Sequence, residues 1–146
     1  MSFSVTSLAF HDGDTISRQF TCDGADAAPP LMLSNPPEAT RSFALILDDR
    51  DAPKGTFTHW LAYDIPTGNG ELAVTEGKTL RNSFGRSGYG GPCPPPGDGP
   101  HRYVFTVYAV DAPSLRLQGN SREDLEAALK THTLATARMM GRYERT

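Results

Sequence analysis

His101 and Tyr103 stand where a long Gly/Pro stretch, Gly85 to Pro100 (GRSGYGGPCPPPGDGP), meets a strongly apolar segment, YVFTVYAV. Glycine density at this level normally marks a linker. Lying between two apolar segments, the stretch instead reads as a shaped loop: its glycines let backbone approach a ligand closely and its prolines stiffen the rest. Two more groups have the same character. Asp49 closes the apolar run SFALILD from Ser42 to Asp48, and His59 opens the aromatic run HWLAYDI. A carboxylate beside two imidazoles raises their pKa values and fixes their tautomers. Imidazolium N–H groups, with N–H groups from the glycine loop, could then hold an oxyanion such as phosphate, sulfate or carboxylate.

The strands must bring these groups together. Side chains two apart share a strand face. Phe43, Leu45, Leu47 and Asp49 therefore form one series, His59, Leu61, Tyr63 and Ile65 a second, and His101, Tyr103, Phe105 and Val107 a third. If the strands ending at Asp49 and beginning near His59 are antiparallel, both groups lie at one sheet edge. His101 joins them if its strand runs parallel to that of His59, and Arg102 then points to the opposite face. Asp48 reads as part of a solvated turn. Asp51 reads as a cap on backbone N–H groups within the same turn, with Pro53 ending the extended run. His11 and His132 stand apart and are read as structural.

Further strands are expected at Ile16–Cys22, Leu31–Leu33, Thr56–Ile65 (ending at Pro66, with a Gly68-Asn69-Gly70 turn) and Leu80–Phe84. Beyond about Leu117 the pattern changes. Ser121 and Asp124 make a capping-box-like helix start, Leu125, Ala128, Leu129 and His132 follow helical spacing, and a second helical stretch is expected over Leu134 to Tyr143. The expected architecture is β-rich with a helical C-terminus.

Composition excludes several classes. The 146 residues suit one domain able to bury roughly two-thirds of its unfolded surface. A net charge of −3 gives no reason to expect nucleic acid or an anionic membrane as partner. No run reaches the ~20 apolar residues of a membrane span, and the opening residues MSFSVTSLAF, with neither a basic leader nor a long apolar core, are not expected to be a signal peptide. Cys22 and Cys93 are too few for a disulfide scaffold and are expected as reduced thiols in a cytoplasmic protein. A metal- or His/Asp-dependent hydrolase using the same groups is the competing reading, although no HExxH, paired-Cys or nucleophile-elbow motif is present. A free PxxP ligand at Pro92-Cys93-Pro94-Pro95 is a further alternative, one that would leave the loop open to proteases near Arg86.

The two central segments, Asp49-Arg50-Asp51-Ala52-Pro53 with His59-Trp60, and Gly91-Pro92-Cys93-Pro94-Pro95-Pro96-Gly97-Asp98-Gly99-Pro100-His101-Arg102-Tyr103, resemble the phosphatidylethanolamine-binding protein family, also called Raf kinase inhibitor-like, in its compact bacterial branch. The resemblance runs from Phe20-Thr21-Cys22-Asp23-Gly24 and Pro29-Pro30-Leu31 to Gly141-Arg142-Tyr143. It implies a large antiparallel sheet packed with a smaller one and flanked by C-terminal helices. It also implies an anion pocket at the sheet edge for phosphate-like groups, including a phosphoethanolamine head. The ligand-binding residues it implies are Asp49, His59, Tyr89, Pro94, His101 and Tyr103, with Asp51, Pro53, Gly91, Gly97 and Gly99 shaping the loops. Binding without catalysis, no cofactor or metal, a protein kinase or protease as target in some lineages, and a homodimer are further implications. Arg50, where the family usually has Pro, and Leu33, where it tends to have Trp, depart from the pattern; Arg50 is expected either to strengthen anion binding or to pair with Asp48 or Asp51.

Overall fold

A computed structural model describes residues 2–68 and 70–146. Strands β1 (Ser4–Thr6) and β2 (Met32–Ser34) form a small antiparallel sheet. Strands β3 (Ser42–Asp49), β4 (Phe57–Pro66), β5 (Lys78–Leu80), β6 (His101–Val110) and β7 (Thr133–Tyr143) form a larger one in the order β5-β4-β3-β6-β7, antiparallel throughout. One helix, α1 (Arg122–His132), precedes the last strand, and its capping box is formed as expected by Ser121 and Asp124. Among the described residues no helix is long and apolar enough to cross a membrane.

Both faces of the large sheet are covered, which is why its middle strand reads as an unbroken apolar run. On one face Phe43, Leu45, Leu47, Phe105 and Val107 pack against Phe10, Ile16, Leu31 and the small sheet. On the other, Ala44, Ile46, Leu61 and Leu80 meet Leu125 and Leu129 of α1. Every residue of β3 is buried as a result. Because β3 is antiparallel to both β4 and β6, those two strands run the same way. Asp49, His59 and His101 therefore meet at one sheet edge.

The second C-terminal helix does not form. Thr133–Tyr143 is strand β7, paired along the whole of β6 from His101↔Tyr143 to Val110↔Thr133. Its Leu, Ala and Met residues favour helix in isolation, but Ala137, Met139, Gly141 and Tyr143 alternate inward against Thr136, Arg138, Met140 and Arg142. Covering the otherwise open edge of β6 outweighs that local preference. Two of the expected strands differ as well. Ile16–Cys22 holds a single turn of 3-10 helix at Arg18–Phe20, and the Leu80–Phe84 strand stops at Leu80. The glycine turn at 68–70 includes Asn69, which lies outside the described residues.

The strand phase behind His59 also needs correction. Leu47 faces Trp60 while Asp48 faces Thr58, so β4 carries one extra residue here. Such a bulge places two consecutive side chains on one face. His59 and Trp60 both point toward the layer containing Tyr103 and Tyr89, with ring centroids 5.3 Å (His59–Tyr103) and 5.1 Å (Trp60–Tyr89) apart. Leu61 and Tyr63, expected on the face of His59, pack instead on the α1 side.

Candidate functional site

The Gly/Pro loop is pinned at many points. Gly90 donates its N–H to the carbonyl of His59 (2.9 Å), and His59 Nδ1–H returns a bond to the carbonyl of Gly90 (2.7 Å). Tyr89 Oη donates to Phe20 O (2.6 Å), Gly91 N–H to Asp26 Oδ1 (2.9 Å) and Cys22 N–H to Pro92 O (3.1 Å). Gly91 has to be glycine, since a Cβ there would collide with Asp26 and the backbone of Phe20. Cys22 and Cys93 are joined in a disulfide, correcting the expectation of two free thiols. Both residues sit in turn-rich segments seventy-one positions apart, so local sequence carried no sign of the pairing. Further on, Gly97 N–H donates to Arg145 O (2.8 Å), and Gly97 and Gly99 adopt φ values of +79° and +81° on either side of Asp98. Pro92 and Pro94 are buried, so this is no free PxxP segment.

The loop closes over a cavity of about 210 Å³. Asp49, His59 and His101 line its polar side; Ala52, Pro53, Phe57, Phe84, Pro94 and Pro95 supply apolar walls. His101 is 2% exposed. Its Nδ1 lies 2.6 Å from Asp49 Oδ2 and its Nε2 lies 2.6 Å from Asp98 Oδ2. Carboxylates accept, so both ring nitrogens carry protons and the ring is an imidazolium. Burial opposes that charge, but hydrogen bonds to Asp49 and Asp98 outweigh it and hold the pKa above the ordinary histidine value. Asp49 also shapes its own turn, since its Oδ1 accepts from Asp51 N–H (2.8 Å).

His59 behaves differently from expectation. A carbonyl can only accept, so the bond to Gly90 fixes the proton on Nδ1 and leaves Nε2 an acceptor in the neutral ring. Burial pushes its pKa below the ordinary value despite the Gly90 bond and the charge of Asp49. His59 is thus a neutral wall and acceptor, and the cation is His101 alone. The glycine N–H groups of Gly90, Gly91 and Gly97 are spent inside the protein and do not face an anion.

The remaining candidates divide by position. Pro94 and Pro53 are in the cavity wall. Tyr103 is fully buried beneath it, its ring edge-on to His59 and stacked 6.4 Å from His101. Its buried hydroxyl has no hydrogen-bond partner among the described residues, and burial with the nearby Asp49 charge pushes its pKa up. Tyr89 is not in the wall; its hydroxyl is used on Phe20 and its ring braces Trp60. Asp51 shapes the loop: it takes Arg102 Nε (2.9 Å), Nη2 (2.8 Å) and backbone N–H (2.8 Å), which holds its carboxyl down at about 2. Arg102 does point away from the site, as its strand phase requires.

Asp48 is no solvated turn residue. It is 8% exposed and accepts from Arg122 Nη1 (2.6 Å) and Nη2 (2.9 Å), tying α1 to the sheet. With Asp48 and Asp51 both engaged, Arg50 is exposed and has no carboxylate partner among the described residues. Leu33 is a buried core residue of β2. His11 is exposed near Asp14, and His132 ends α1 beside Asp111. Asp98, Phe57 and Phe84 were missed. Phe57 was legible, being two residues before His59, and Asp98 stands three before His101; the place of Phe84 depends on loop geometry. Among the described residues, no three His, Cys, Asp or Glu side chains gather as metal ligands do.

The fold is thus a two-sheet β domain with a small cavity at the sheet edge, lined by a buried imidazolium and by aromatic and proline side chains. Residues 6–144 match the model of the phosphatidylethanolamine-binding protein family, and the chain belongs to that family. It is 47% identical to a UPF0098 protein of Aquifex aeolicus over 97% of this chain and 88% of that one. Among solved structures it resembles Escherichia coli YbcL, described as a member of the mammalian PEBP family, with a TM-score of 0.89, 32% identity and full coverage of both chains. It likewise resembles CT736 of Chlamydia trachomatis, described as a homologue of phosphatidylethanolamine-binding proteins, with a TM-score of 0.88, 35% identity and 99% coverage of each.

Proposed function

We propose that this protein binds a small oxyanion carried on a compact organic group, as in a phosphate monoester such as phosphoethanolamine, and that it works by binding rather than catalysis. The observation that carries this reading is His101, a buried imidazolium held through Nδ1 by Asp49 and through Nε2 by the more exposed Asp98, lining a cavity whose remaining walls are mostly apolar. A charge-assisted hydrogen bond from the Nε2–H of His101 fixes the anion, and Phe57, Phe84 and the prolines receive the attached group. Neutral His59 adds an acceptor for a ligand hydroxyl or P–OH. Because the charge of His101 is offset by Asp49 and Asp98, selectivity comes from one directed donor and the wall shape, and affinity is modest. The binding reading is supported by the state of the cavity's thiol: Cys93 is in a disulfide and is no nucleophile.

The test is an amide-NMR titration with phosphoethanolamine and inorganic phosphate, repeated on His101→Ala. Saturable shifts confined to residues 49–59 and 84–103, absent in the folded variant, are expected; shifts elsewhere, or shifts kept by the variant, refute the reading. Cellular location follows the thiols. Disulfides persist mainly in oxidising compartments, so the Cys22–Cys93 bond removes the ground for a cytoplasmic assignment and favours an oxidising one. Thiol labelling of the protein in intact cells tests this, with free thiols restoring the cytoplasmic reading. The homodimer implied by the resemblance is tested by light scattering.

A further inference from the structure

We propose that Asp98 is a resident occupant of the anion position, so that an external oxyanion binds at His101 Nε2 only by displacing the Asp98 carboxylate. This regulates the same site and rests on the oxyanion reading above. The geometry is direct. The Asp98 carboxylate is already an oxyanion on His101, with Oδ2 at 2.6 Å from Nε2, the same distance at which Asp49 holds Nδ1.

The two carboxylates differ in how firmly they are held. The Asp49 side chain is 5% exposed and also binds the Asp51 N–H, so it is built into the sheet edge. The Asp98 side chain is 41% exposed, and among the described residues only His101 binds its carboxylate. Its backbone is held separately, by Asp98 N–H to Pro95 O (3.2 Å) and Gly97 N–H to Arg145 O (2.8 Å). A rotation about the side-chain bonds therefore moves the carboxylate into solvent while the loop stays in place. No lid has to open.

The consequence is selectivity by competition. A carboxylate tethered this close acts at an effective concentration of about millimolar or more. Simple carboxylates offer His101 nothing that Asp98 lacks and should be excluded. A phosphate, with more charge and more oxygen acceptors, can displace it. Losing one charge-assisted hydrogen bond, and the repulsion between Asp98 and the incoming anion, should change affinity by about tenfold or more.

The experiment measures binding of inorganic phosphate and of acetate, followed through the His101 imidazole resonances, in the native protein, Asp98→Ala and Asp98→Asn. The expected result is phosphate binding about tenfold tighter in both variants, and acetate binding at His101 in Asp98→Ala alone or in both variants but not in the native protein. Equal or weaker phosphate binding in the variants overturns the proposal while leaving the oxyanion reading intact. If neither anion perturbs His101 in any of the three proteins, the oxyanion reading falls and this proposal falls with it.

Discussion

Removing the Cys22–Cys93 disulfide should destabilise the protein by about as much as a single cross-link can, without unseating the loop it anchors. The bond closes a segment of 71 residues. On the loop-entropy model, a closure of that length stabilises by roughly 4 kcal/mol, chiefly through the unfolded chain. For a chain of this size each kcal/mol moves the melting temperature by about 2–4 °C, so a fall of ~8–16 °C is expected. The folded loop keeps its other ties: Tyr89 to Phe20, Gly91 to Asp26, Cys22 N–H to Pro92 O and Gly97 to Arg145. The Cys22→Ser/Cys93→Ser protein should therefore still fold at 25 °C and keep native amide shifts in the sheet. The assay is thermal melting by circular dichroism, with and without reductant, after thiol titration of the native protein. Two free thiols in native protein purified under oxidising conditions, or a melting temperature unmoved by reductant and by the double variant, would refute the reasoning.

Stability should respond to pH through two histidines with opposite signs. His101 has a raised folded pKa, so its contribution is fully present below the unfolded value near 6.5 and is lost as pH rises through the folded value. His59 has a lowered folded pKa, so stability declines as pH falls below about 6.5 toward that folded value. Urea midpoints of His101→Ala should lose the alkaline decline and those of His59→Phe the acidic one; unchanged profiles contradict the assignments. Asp48→Ala should cost about 2 kcal/mol, below the ~3–5 of a fully buried broken pair because the Arg122 side chain is 27% exposed. Adding Arg122→Met should recover most of that loss in chemical denaturation, and no recovery would mean the pair does not act as a unit.

The parts of the fold that could be read from sequence are those where local pattern and tertiary demand agree. SFALILDD is buried on both faces and reads as a central strand. YVFTVYAV reads the same way, and the antiparallel order brings Asp49 and His101 to one edge. Where the demands conflict, the pattern misled. The Leu, Ala and Met of β7 favour helix, and only pairing with β6 makes them strand. Two-residue periodicity assigned His59 to the right site but put Leu61 and Tyr63 on its face, because a bulge between Thr58 and Trp60 resets the phase until a second one restores it for Ile65. Asp48 looked like a turn residue because its partner, Arg122, lies 74 positions away. The disulfide was hidden by similar distance. Asp98 was masked by its setting, since a Gly-Asp-Gly sequence reads as a turn whichever way the carboxylate points.

The central claim is that His101 is a buried imidazolium, oriented by Asp49, that gives its second N–H to an oxyanion. The most direct test is a nitrogen-15 NMR pH titration of the imidazoles, with and without phosphate. His101 should show both nitrogens protonated at neutral pH and a pKa above the ordinary value that rises further with phosphate, while His59 stays neutral with its proton on Nδ1. A His101 that titrates at or below the ordinary value and ignores phosphate would contradict the account.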